Sequence, residues 1–272
     1  MSGSTLNTKH LIRELDALKP DMFPLHPHAL SKADLYIKEM YARMLAAVLL
    51  VDGKVSETEH RLFGMLLRSL DLLQSQATFI EQAVALDSAQ LRAFMRVIKE
   101  TKAESCFVVD ALVLCRVEGQ LSNLQTQLLT EFLDFFQLPE HEVAALLFWV
   151  AKILNLPVEI DIPETALQKL SIKQFKDSNI NLTEYSLGKI YVQRGEYVTA
   201  GQKVVRLILN RDQRILHFSL SSQEQVRPVI ESNYAGLVYS VHLKIGDALK
   251  ANQTIAMILP FNSATNAWLE FI

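Results

Sequence analysis

The chain has 272 residues, half of them hydrophobic, two cysteines and a formal net charge of −3. That length supports two ordinary domains with their own cores, and the apolar content excludes a disordered chain. The slightly acidic balance excludes a general nucleic-acid binder, which needs a basic face to neutralise phosphates.

The charge is unevenly spread, with nine Lys/Arg against six Asp/Glu in residues 184–260 and an acidic excess elsewhere. The start, MSGSTLNTKHLIREL, lacks the basic-then-apolar order of a secretory signal. The apolar runs Leu45–Val51 and Val143–Val150 fall far short of the roughly 20 residues that span a bilayer. The expectation is a soluble, cytoplasmic chain without a membrane span, peripheral association remaining open. Cys106 and Cys115 lie in an apolar helical pattern at no zinc or redox spacing, and they read as buried thiols.

Residues 7–18 show helical spacing, after which Pro20, Pro24 and Pro27 predict a stiff arm closing a segment 1–30. His26 and His28 flank Pro27 and read as solvated loop residues, since a zinc site needs further ligands close by. From Ser31, with Asp34 three residues on, a helix is predicted to Val51. Asp52-Gly53 then marks a turn, and Ser56 with Glu59 forms a capping box that starts the next helix.

This unit recurs sixty-six residues later. Asp52-Gly53 meets Glu118-Gly119, Ser56 meets Ser122, and Glu59 meets Gln125. Further helices are expected near 76–85, 88–101 and after Pro139, giving six or seven helices in an all-α bundle over 31–157. The run LLVDGKVSETE and its echo CRVEGQLSNLQ resemble the bacterial TerB-like family of tellurite-resistance and stress proteins, over roughly residues 32–157. In that family, clustered acidic residues near these turns are connected with metal binding. The resemblance implies a divalent-metal site at Asp52, Glu59 and Glu118, with Gln125 replacing the second acid. The alternative reading is that these residues simply cap helices.

Pro157 and Pro163 frame a segment that reads as a linker over 158–183, with Thr165–Phe175 open to either a short helix or a strand. Period-2 alternation then predicts strands at Lys189–Val192, Lys203–Ile208, Leu237–Leu243 and Thr254–Ile258. A second internal repeat runs through this part. With a shift of fifty-one residues, Gly195-Glu196 falls on Gly246-Asp247, Gln202 on Gln253, and Val204 on Ile255. Residues 184–260 resemble the biotinyl/lipoyl-like barrel-sandwich hybrid, so the fold class expected for the whole chain is α+β: an all-α domain followed by an all-β one.

In carrier domains of that fold a lysine at the tip of a hairpin receives biotin or lipoate. Here Arg211 stands at that position, and a guanidinium cannot form the amide a lysine amine makes, so neither cofactor is expected. The long stretch after it reads as a loop available for contacts. The tail over 261–272 ends in Trp268, Leu269, Phe271 and Ile272, and two readings stand for it: docking on the chain's own surface, or contact with a partner or membrane. Partner contacts are expected at Arg211, Arg214, Trp268 and Phe271.

No Ser-His-Asp order, phosphate loop or metal-ligand cluster is visible in the sequence, so no enzymatic activity is expected. The two resemblances together imply a non-catalytic assembly or adaptor protein in a bacterial stress- or envelope-associated complex. The alternative is a sensor that binds a metal or small ligand through Asp52, Glu59 and Glu118.

Overall fold

Residues 35–153 fold into helices because apolar side chains recur at helical spacing between strong caps. The computed structural model describes residues 25–158, 160–172, 182–210 and 228–272. Among them are seven α-helices: α1 (Leu35–Leu50), α2 (Glu57–Ser69), α3 (Gln76–Val84), α4 (Ser88–Thr101), α5 (Glu104–Arg116), α6 (Asn123–Phe136) and α7 (Glu140–Ile153). Ser56, Asp87 and Ser122 each close a full capping box, and Ser75 caps α3 by accepting from the Thr78 N–H. Helix α1 differs, for Asp34 stands at its N-cap without a side-chain cap bond.

Seven strands follow: β1 (Gln168–Ser171), β2 (Tyr185–Ile190), β3 (Tyr197–Val198), β4 (Lys203–Leu209), β5 (Val229–Glu231), β6 (Gly236–Val241) and β7 (Thr254–Pro260). The chain divides into two units. One takes the chain up to Asp161 and again from Asn262 to Ile272, and the other is Ile162–Phe261. The β unit therefore interrupts the helical unit in sequence. The stretch 158–183, expected to be a linker, supplies β1, which pairs antiparallel with β7. The tail 261–272, for which docking on the chain's own surface was one of two readings, belongs to the helical unit from Asn262 onward.

Helix α5 is the centre of the helical unit. Every residue from Cys106 to Cys115 is buried, and an all-round apolar helix can exist only as the middle of a bundle. It packs against α1, α6 and α7, with Phe94, Phe107, Phe132 and Phe136 meeting as an aromatic cluster along one side. Both thiols are free and buried, and burial raises each to about 12, so they remain protonated core groups at neutral pH.

One residue of α5 breaks its apolar run. Asp110 is 0% exposed, and a carboxylate so placed must be satisfied by hydrogen bonds. Three donors converge on it. The Tyr41 hydroxyl donates to Oδ2 at 2.6 Å, His28 Nε2 lies 3.1 Å from the same oxygen, and Trp268 Nε1 donates to Oδ1 at 2.7 Å. The His28 Nδ1 accepts the backbone N–H of Leu30, which assigns the hydrogen to Nε2, facing Asp110. Burial, followed by the adjacent Asp110 charge, holds the Tyr41 phenol well above its ordinary value, so it stays a donor.

This hub corrects two expectations. His28 is buried rather than a solvated loop residue, and its backbone N–H is held by the Ser69 carbonyl. Trp268 is fully buried within the helical unit, so it presents no surface to a partner, while Phe271 beside it is 43% exposed. Docking on the chain's own core is the reading of the tail that the structure bears out for Trp268.

The β unit consists of a four-stranded sheet in the order β1-β7-β6-β3 and a three-stranded sheet in the order β2-β4-β5. All pairings are antiparallel, and the core lies among Leu187, Val204, Leu207, Val238, Ile255 and Ile258. The fifty-one-residue repeat governs the turns. Gly195 and Gly246 both adopt positive φ, at 89° and 93°, and the acid after each accepts a backbone N–H three residues back, from Gln193 and Lys244, at 2.8 Å. Gln202 and Gln253 cap the next turns in the same way, on Thr199 and Lys250.

The two copies also reach across to each other reciprocally. The Gly195 N–H donates to the Val238 carbonyl, and the Gly246 N–H donates to that of Leu187, each at 2.8 Å. Val238 is Leu187 shifted by fifty-one residues, so the contact is an internal two-fold of the kind that relates identical surfaces in a dimer.

Candidate functional site

The sixty-six-residue repeat of the helical unit brings its two capped turns to one place. A cleft of about 560 Å³ is lined by Asp52, Ser56 and Glu59 from the first copy and by Glu118, Ser122 and Gln125 from the second, with Lys54 and Cys115. Each turn needs a backbone that reverses sharply, and Gly53 and Gly119 supply it at φ of 81° and 135°.

The caps have nearly the same geometry. Glu59 Oε2 accepts the Ser56 N–H at 2.7 Å while Ser56 Oγ accepts the Glu59 N–H at 3.1 Å. Gln125 Oε1 accepts the Ser122 N–H at 3.0 Å while Ser122 Oγ accepts the Gln125 N–H at 3.2 Å. Glu59 is 8% and Gln125 3% exposed, whereas Asp52 and Glu118 are exposed at the rim.

The electrostatics follow from this arrangement. Cys115 lies on the buried side of the cleft, and after burial itself the charges of Glu59 and then Asp52 push its thiol up. The charges of both carboxylates thus reach the buried thiol at the back of the cleft. The two helix starts differ: Glu57 and Glu59 occupy the first turn of α2, whereas α6 has no acid in its first turn. The positive helix end is therefore compensated on one side and uncompensated on the other.

The residues expected to hold a metal, Asp52, Glu59 and Glu118, all line this cleft. They do not converge as ligands, for among the described residues no group of three or more His, Cys, Asp or Glu could hold a metal ion. One oxygen of Glu59 is committed to its cap, and the fourth position carries the amide of Gln125 in place of a carboxylate. A tight divalent site does not fit these residues.

The partner-contact positions Arg211 and Arg214 lie outside the described residues. Among the described residues, no helix is long and apolar enough to cross a membrane. Sequence reasoning passed over Asp110, Tyr41 and Cys115 as site or hub residues. An acidic residue in the middle of the apolar run CFVVDALVLC was the one signal available for the hub. No protein-family model matches the chain, and neither a curated protein nor a solved structure matches it.

Proposed function

We propose that this is a non-catalytic binding protein whose helical unit receives a small positively charged ligand in the cleft between its two capped turns. The observation that carries the reading is the meeting of Asp52, Glu59 and Glu118, sixty-six residues apart by repeat, around one space of about 560 Å³. That volume is in the range of small-molecule sites. The test is a backbone amide NMR titration of the full chain with Ca²⁺, Mg²⁺ and L-lysine amide. Shift changes confined to residues 52–59 and 115–125 support the reading. No change there with any of the three at millimolar concentration refutes it.

A second reading is assembly: the helical unit and the β unit act as an adaptor for protein partners in a bacterial stress- or envelope-associated complex. Its candidate contacts are exposed apolar side chains on each unit, Leu73 at 81%, Val84 at 78% and Ile245 at 67%. The β unit would serve as a non-carrier barrel of the biotinyl/lipoyl type, and the helical unit as a TerB-like bundle. Co-purification of a defined partner that is lost on L73E or I245E supports this reading. Unchanged partner recovery from both variants argues against it.

A further inference from the structure

Glu59 and Gln125 occupy equivalent positions in the two repeats, yet each has only half of its side-chain head engaged. Oε2 of Glu59 accepts the Ser56 N–H and Oε1 of Gln125 accepts the Ser122 N–H. The other head atom of each, Glu59 Oε1 and Gln125 Nε2, makes no hydrogen bond among the described residues. Both residues are more than nine-tenths buried, so a stranded polar atom would be costly if it were also sealed from solvent. Among the described residues, neither atom is a side-chain atom both sealed from solvent and lacking a hydrogen bond. Each therefore reaches accessible space, and the space both residues line is the cleft.

These two atoms are chemically opposite. Glu59 offers a carboxylate oxygen, which only accepts, and Gln125 offers an amide N–H₂, which only donates. A bare divalent cation can use the first but is repelled by the second. Each copy adds a rim carboxylate, Asp52 in the first and Glu118 in the second, so the contrast lies deeper: α2 starts with Glu57 and Glu59 in its first turn, and α6 starts beside Gln125 with no acid in its own.

Resting on the cleft reading above, we infer that the ligand is an organic cation in which an ammonium group is coupled to a hydrogen-bond-accepting oxygen. Its ammonium is held by Glu59 Oε1 and Asp52, and its oxygen accepts from Gln125 Nε2. No covalent step is involved.

The experiment is calorimetric titration of the full chain with L-lysine amide, with spermidine as a cation lacking an oxygen acceptor, and with CaCl₂. It is repeated on Glu59→Gln and Gln125→Glu. Both replacements keep an oxygen that can accept the N-cap N–H, so both capping boxes, and the fold, persist. L-lysine amide binds the unmodified chain at least about fivefold more tightly than spermidine. E59Q weakens it by about tenfold or more, the scale of a charge-assisted hydrogen bond. Q125E abolishes the preference over spermidine and brings in Ca²⁺ binding. Binding of CaCl₂ but not L-lysine amide by the unmodified chain overturns this inference and leaves the cleft reading standing. Absence of binding by every probe, or binding of L-lysine amide indifferent to E59Q, overturns both.

Discussion

Replacing Trp268 by Phe keeps a large apolar ring in the core but removes the Nε1–H that donates to Asp110 Oδ1 at 2.7 Å. Asp110 and Trp268 are both 0% exposed, so no solvent reaches the oxygen left behind. A hydrogen bond to a charged group contributes about 1.5–3 kcal/mol, and an unmatched buried acceptor keeps its full desolvation cost. The expected loss is about 2 kcal/mol, which for a unit of this size lowers Tm by about 4–8 °C. Asp110→Asn loses a similar amount, because its amide N–H₂ must face one of three donors. The double variant W268F/D110N loses less than the sum, with a coupling of about 1–2 kcal/mol, since both changes remove the same bond. The assay is guanidinium unfolding followed by far-ultraviolet circular dichroism, which reports on the helices. A W268F cost below about 0.5 kcal/mol, or strict additivity of the pair, refutes the account of the tail as bound to the buried carboxylate.

The remaining expectations concern caps, backbone, thiols and tail. Ser56→Ala and Ser122→Ala each cost about 1 kcal/mol in the same unfolding assay, and the two add to within a few tenths unless the cleft couples them. In Gly236→Ala the new Cβ would fall 2.2 Å from the Leu259 carbonyl oxygen and 2.8 Å from Pro260 Cα, both backbone, so the β unit loses about 3 kcal/mol or more, read by near-ultraviolet dichroism. Cys106 and Cys115, at about 12 when folded against an ordinary 9.0, hold protons the unfolded chain releases. Stability therefore falls as pH rises from about 9 to about 12, at up to about 1.4 kcal/mol per unit for each thiol, and a Cys106→Ala/Cys115→Ala double variant flattens that slope. Finally, removing Ile162–Phe261 while joining Asp161 to Asn262 through a flexible linker leaves a folded helical unit, whereas ending the chain at Asp161 does not, as judged by amide hydrogen-exchange protection.

What the sequence revealed was local. The capping boxes at Ser56/Glu59 and Ser122/Gln125 could be read because a cap needs only residues three apart, and the structure shows both. The turns at Gly195 and Gly246 were equally legible, since their geometry is set within four residues and repeated. Both copies of the candidate site were visible as turns, and the repeat itself hinted that they share a role. That they share one cleft, and that half of each cap head remains uncommitted, depends on how two distant turns meet.

The Asp110 hub lay beyond sequence reading for the same reason. Its three donors come from 82, 69 and 158 residues away, and none shares a pattern with another. Strand β1 was legible only as one of two readings of Thr165–Phe175. Of its four residues, only Leu170 is fully buried, so an edge strand of this length leaves too little alternation to choose strand over helix. Strand β3, with two residues, leaves even less.

The interruption of the helical unit by the β unit has a consequence for synthesis. Trp268 fills a core whose buried members, Ala264 and Ala267 apart, are otherwise made before Asp161, yet it emerges only after the whole of Ile162–Phe261. At about 5–20 residues per second, those intervening residues take on the order of 5–20 s to translate. During that interval the bundle can assemble its helices but holds an open slot above an Asp110 short of one donor. The arrival of the indole closes the slot, so completion of the helical unit signals that the β unit has already been made.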